Sequence, residues 1–129
     1  MSTTDPKAVA DRYLAAWNET DTTRRRALLG AFWAPDAQFV DPIMSGDGPD
    51  GMDACIAGVH VRFPGFRFAL IGEPDGFGEH VRLSWGLGPA GGDAPVKGTD
   101  VLSLRDGRLA RITGFFDQVP APAPAPAEA

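Results

Sequence analysis

Residues 31–46 read Ala-Phe-Trp-Ala-Pro-Asp-Ala-Gln-Phe-Val-Asp-Pro-Ile-Met-Ser-Gly, an apolar helix end that passes through a Pro-Asp turn into a short strand and delivers an acid. Asp41 is the pivot of this stretch. Phe39 and Val40 precede it and Pro42, Ile43 and Met44 follow, so a carboxylate facing inward here is stripped of water. Desolvation raises a carboxylate pKa and makes a competent proton acceptor near neutral pH. The same residues also spell a surface turn, in which the Asp side chain bonds its own backbone and the proline sets the bend. The choice between the two depends on whether other parts of the chain set polar groups opposite Asp41 across a cavity.

Upstream of the stretch, Asp5-Pro6 opens a helix with a capping acid before a first-turn proline. Val9, Tyr13, Ala16 and Trp17 then share one helical face. Asn18 to Asp21 ends that helix, Thr22 or Thr23 caps a second one through Arg24 to about Trp33, and Pro35-Asp36 closes it before a strand from Gln38 to Asp41. Downstream, Ser45 to Gly51 reads as a loop. Asp50 or Gly51 starts a third helix whose inner face is Met52, Ile56, Val59 and Phe63, and Pro64-Gly65 terminates it.

The period then changes from helical to alternating. Phe66, Phe68 and Leu70 line one side of a strand that ends at a Pro74-Asp75-Gly76 turn. Val81, Leu83, Trp85 and Leu87 alternate through the next strand, up to a Gly- and Pro-rich hairpin from Gly88 to Pro95. Val96 to Leu104 makes a third strand, Asp106-Gly107 a hairpin turn, and Leu109 to Val119 the last strand. Helices first and antiparallel strands afterwards predict an α+β domain with the helices gathered on one face of the sheet. Residues 1–119 are expected to form one domain, and the Pro-Ala tail from Pro120 to Ala129 an extended, disordered terminus.

With 129 residues, the chain has material for a single core and no second domain. A formal charge of −5 and a pI near 4.8 argue against nucleic acid or an anionic membrane as partner. Arg24-Arg25-Arg26, the one basic run, reads as the solvated face of a helix. Cys55 is the single cysteine and fits a reducing compartment, no apolar segment follows the N-terminal residues, and a cytoplasmic location is expected. His60 and His80 have no second ligand at metal-binding spacing, so no metal site is expected.

Asp100 is the acid that needs a reason. It shares a strand face with Val96, Gly98, Leu102 and Leu104, while Lys97, Thr99, Ser103 and Arg105 point the other way. Left charged and unpaired on the apolar side it would cost several kcal/mol, on the order of a lost buried hydrogen bond or more, so it is protonated or hydrogen-bonded there. In the last strand Ala110, Ile112, Gly114 and Phe116 form one face, and small residues beside aromatics imply a lined hollow. Tyr13, on the inner face of the first helix, has a phenol that can donate into that hollow, although buried tyrosines are commonly plain packing.

The order Arg-Tyr-Leu-Ala-Ala-Trp-Asn, then Trp-Ala-Pro-Asp-Ala-Gln-Phe-Val-Asp-Pro, a Gly-initiated helix, and four strands with Gly-Thr-Asp-Val and Asp-Gly-Arg-Leu resembles the NTF2-like superfamily, in particular its SnoaL-like and ketosteroid isomerase-like members. The resemblance spans Ala8 to about Val119. It implies a cone of three N-terminal helices packed on a curved antiparallel (mixed) sheet that encloses a pocket. It also places Tyr13 at the oxyanion-binding phenol of ketosteroid isomerases, Asp41 at their general base and Asp100 at their neutral, hydrogen-bond-donating carboxylic acid.

Trp17 stands where those isomerases carry a smaller aliphatic residue, and Trp33 and Trp85 add bulk. With Phe39, Ile112 and Phe116 these residues are expected to line the pocket and to favour a small, flat, mostly apolar ligand with one carbonyl over a steroid. No cofactor is implied, and a homodimer through the outer sheet face at Phe115, Thr113 and Arg111 is. Three functions follow from the resemblance: allylic isomerisation through an enolate, SnoaL-like aldol cyclisation with Asp100 as the principal acid–base, or a non-catalytic hydrophobic-ligand module.

Overall fold

In the computed structural model, which describes residues 5–120, each helix is placed by its cap and its buried stripe. α1 (Pro6–Asn18) starts as the sequence predicts, with the Asp5 carboxylate accepting from the amides of Lys7 and Ala8. It buries Val9, Tyr13, Ala16 and Trp17 together with Ala10 and Leu14. α2 (Thr22–Phe32) is capped by Asp21, whose carboxylate accepts from the Arg24 amide, and not by Thr22 or Thr23. An ionised carboxylate facing the positive end of the helix outcompetes a hydroxyl one residue later. α3 (Gly48–Arg62) buries Met52, Asp53, Cys55 and Ile56, with Val59 and Phe63 packed against the core edge.

β1 (Trp33–Val40) follows α2 directly, so Pro35-Asp36 lies inside the strand and not in a turn before it. The proline has no N–H to give to the ladder, and the pairing of β1 with its neighbour is irregular between Trp33 and Gln38. β2 (Ser45–Asp47), predicted as loop, pairs antiparallel with the end of β1 and leads straight into α3. β3 (Phe66–Phe77) runs through Pro74-Asp75-Gly76, predicted as its terminating turn. β3 is an edge strand, where a proline breaks no pair on the open side, and the chain bulges between Ile71 and Asp75.

β4 (His80–Pro89), β5 (Val96–Arg105) and β6 (Arg108–Gln118) complete a six-stranded sheet in the order β2-β1-β6-β5-β4-β3. β1 and β6 are parallel; the remaining neighbours are antiparallel. Asp106 and Gly107 both take positive φ, 53° and 78°, as a two-residue hairpin of this hand requires. Register shifts in β1, β3, β5 and β6 curve the sheet around the three helices without closing it into a barrel. α1 lies against β3 and β4, and α3 against β1 and β2, which leaves a hollow between them on the inner sheet face. Tail residues 121–129 lie outside the described residues.

One correction concerns the basic run. Arg25 lies on the Leu29–Phe32 side of α2 and is 3% exposed. Its Nε donates to Asp53 Oδ1 at 2.6 Å and its guanidinium to the Glu19 carbonyl at 2.9 Å. The solvated-face reading thus fails for Arg25, because the facing helix supplies a buried acid that no local pattern reveals. Among the described residues no helix is long and apolar enough to cross a membrane.

Candidate active site

The hollow between α1, α3 and the sheet is a cavity of about 230 Å³. Leu14, Trp17, Phe39, Phe68, Trp85 and Leu87 wall its buried part, and exposed Ile43, Arg62, Val119 and Pro120 form its rim. Two acids reach it, Asp41 from the end of β1 and Asp100 from the middle of β5.

Asp100 is 5% exposed and is held from both sides. Its Oδ2 accepts from the Tyr13 hydroxyl at 2.6 Å and its Oδ1 from the Trp85 indole N–H at 3.0 Å. Trp85 sits opposite Gly98 in the β4–β5 ladder, and a Cβ on Gly98 would overlap the indole ring. That missing Cβ lets the ring lie flat with its N–H on the carboxylate. Burial pushes the Asp100 pKa up to about 6, against the two donors, which favour the anion; the nearby Asp41 carboxylate adds to the rise.

Tyr13 is fully buried. Its ring stacks on Trp33 at a centroid distance of 5.9 Å and meets the edge of Trp17 at 6.4 Å. Burial first, then the negative charge of Asp100, raises its phenol well above the usual tyrosine value. It therefore stays protonated and serves Asp100 as a donor throughout the neutral range.

Asp41 unites the two readings its sequence left open. Oδ1 accepts from the amides of Ile43 and Met44, both at 2.9 Å, the local turn that Asp-Pro predicts. Oδ2 has no partner among the described residues, and the residue is half-buried on the cavity wall. Gly114 lies between the acids: a Cβ there would stand 2.8 Å from Asp100 Oδ1 and 3.2 Å from Asp41 Cβ. Only glycine leaves room for the Asp100 carboxyl group and the Asp41 side chain to come together over β6.

A family model for the SnoaL-like domain matches residues 10–112, most of the chain. The chain belongs to the SnoaL-like family. A protein described as a candidate isomerase of this family from Agrobacterium tumefaciens is 47% identical, with a TM-score of 0.84 over 87% of this chain and 97% of that one. A candidate polyketide cyclase from Sinorhizobium meliloti is 18% identical, with a TM-score of 0.66 over 83% of this chain and 93% of that chain. A candidate ketosteroid isomerase from Kribbella flavida is 22% identical, with a TM-score of 0.67 over 95% and 91%. The last two share the fold alone. Among curated proteins none matches.

Within this SnoaL-like cavity, Trp17, Phe39, Trp85 and Phe116 stand on the wall, as do Asp41 and Asp100. Tyr13, Trp33 and Ile112 do not: Tyr13 lies behind Asp100, Trp33 behind Tyr13, and Ile112 is fully buried in the core. Sequence reasoning took Trp85 for bulk and missed its hydrogen bond. Its position on the inner face of β4 was legible, but its register against Gly98 and Asp100 was not. Leu14, Phe68, Leu87 and Val96 also line the cavity, and the strand residues among them were assigned inward by alternation alone. Among the described residues no cluster of three or more His, Cys, Asp or Glu side chains could hold a metal ion.

Proposed function

We propose that this SnoaL-like domain is a cofactor-independent acid–base enzyme acting on a small, mostly apolar carbonyl compound. The observation that carries the reading is the meeting of two acid side chains over Gly114 on the wall of one apolar cavity. Asp41 Oδ2 takes a proton from the carbon next to the carbonyl, and the enolate oxygen that results is held by a hydrogen bond from protonated Asp100. Asp41 then returns the same proton two carbons further on, so one C–H bond breaks, another forms, and the double bond moves into conjugation. Tyr13 and Trp85 act through Asp100 as positioning residues.

Size supports a small ligand. A dry cavity of roughly 150 Å³ takes up benzene, so about 230 Å³ suits one or two rings and not four. A cytoplasmic setting agrees with the single buried Cys55 thiol. Exposed Val40, Val101 and Phe115 on the outer sheet face support pairing of two copies there.

The second reading, aldol cyclisation with Asp100 as principal acid–base, is favoured by the Asp100 pKa of about 6, which lets it exchange protons near neutrality. The test is conversion of 3-cyclohexenone to the conjugated 2-cyclohexenone, followed by ultraviolet absorbance in wild type, Asp41→Asn and Asp100→Asn. Loss of turnover in Asp41→Asn with ligand binding retained supports isomerisation. A larger loss in Asp100→Asn than in Asp41→Asn on the aldol cyclisation of heptane-2,6-dione to 3-methyl-2-cyclohexenone supports the second reading, and wild-type rates no higher than buffer on both substrates refute both.

A further inference from the structure

Arginines of this acidic chain are mostly engaged: Arg25 and Arg26 on Asp53, Arg82 on Asp75, Arg105 on Asp36. Arg12, which lies over the Phe32 ring, and Arg24, Arg62 and Arg67 have no hydrogen bond or ion pair among the described residues, and of these Arg62 alone borders the cavity. It stands in the last turn of α3 between Val59 and Phe63, on the exposed rim, and is the single cation in a wall whose other charged members are Asp41 and Asp100. The cavity is thus polar at two places of opposite sign, joined by an apolar passage.

From this polarity we infer that the substrate carries a carboxylate on the side remote from its carbonyl, and that Arg62 binds it. The inference rests on the carbonyl-site reading above. A ring with one carbonyl and no second polar group can enter an apolar passage either way round. A carboxylate removes that freedom, because it is repelled from the Asp41 carboxylate inside and meets a guanidinium at the mouth. Arginine suits the task, since its planar fork donates two parallel hydrogen bonds to a carboxylate. The C-terminal end of a helix, where carbonyl dipoles favour a cation, also suits a guanidinium at this position.

The experiment compares 2-naphthol with 6-hydroxy-2-naphthoate by fluorescence titration at low and high sodium chloride. In both, the hydroxyl mimics the enol oxygen, and in the second a carboxylate lies at the opposite end. Wild type is expected to bind the naphthoate about tenfold more tightly at low salt, a preference that shrinks as salt screens the exposed rim. Arg62→Gln should erase the preference and Arg62→Lys keep part of it, with thermal unfolding showing that each variant is folded. Equal binding of the two compounds by wild type, or an undiminished preference in Arg62→Gln, overturns the anchor and leaves the carbonyl site standing. If neither compound binds, the carbonyl-site reading itself fails and the anchor falls with it.

Discussion

Replacing Tyr13 with Phe tests whether the phenol serves the ligand or serves Asp100. The Tyr13 hydroxyl is the shorter of the two donors to the Asp100 carboxylate, at 2.6 Å, and neither Tyr13 ring nor hydroxyl forms part of the cavity wall. A hydrogen bond to a charged group contributes about 1.5–3 kcal/mol, and about 1.4 kcal/mol corresponds to one pH unit. Because Tyr13 remains protonated and donates, it stabilises the ionised acid more than the neutral one, so its loss raises the Asp100 pKa. The midpoint should move from about 6 to between about 7 and 8. The Trp85 indole N–H reports this directly, since it donates to Asp100 Oδ1 at 3.0 Å. In a ¹⁵N spectrum the chain should show three indole signals, one per tryptophan, and Trp85→Phe would identify the right one. A pH titration of that signal needs no substrate. An unchanged or lowered midpoint in Tyr13→Phe would refute the assignment of Tyr13 as the residue that tunes Asp100.

Asp100 should also shape stability. Its folded pKa of about 6 lies above the ordinary 3.8, so the folded state binds a proton that the unfolded state has released between those values. Stability is greatest below the lower value and falls as pH rises through the upper one, by about 3 kcal/mol; urea unfolding at pH 4 and pH 7 should show this loss in wild type and not in Asp100→Asn. Removing the partner of buried Arg25 with Asp53→Ala should destabilise by about 3–5 kcal/mol, and a drop under 1 kcal/mol in chemical unfolding would contradict the buried-pair account. Gly114→Ala forces a Cβ against Asp100 Oδ1 and Asp41; it should cost about 1–3 kcal/mol and abolish 2-naphthol binding. Retained binding at wild-type stability would show that the two acids do not meet there.

Much of the architecture was legible because it is local. The Asp5-Pro6 cap, the Tyr13–Trp17 stripe, the alternation of Val81 to Leu87 and the Asp106-Gly107 turn each depend on residues a few positions apart. The misreadings share a cause: Pro35 and Pro74 were taken as ends of elements, whereas each sits in a strand at a point where the ladder is irregular. Whether a proline stops a strand or bends it depends on the neighbouring strand, which local sequence does not contain. Arg25 was assigned to solvent for a similar reason. Its partner belongs to another helix.

The composition, the change of period after Pro64 and the short motifs around Tyr13, Asp41 and Asp100 were enough to establish an α+β domain of SnoaL-like character and to nominate three side chains. Folding divided their roles. Cross-strand register put Gly114 between the acids and Gly98 beneath Trp85, while helix packing set Tyr13 behind Asp100, 87 residues away, and off the cavity wall. Periodicity reports which face a residue occupies, because that follows from backbone geometry. It does not report which atoms meet across that face, because strand register and helix seating depend on the whole core closing at once.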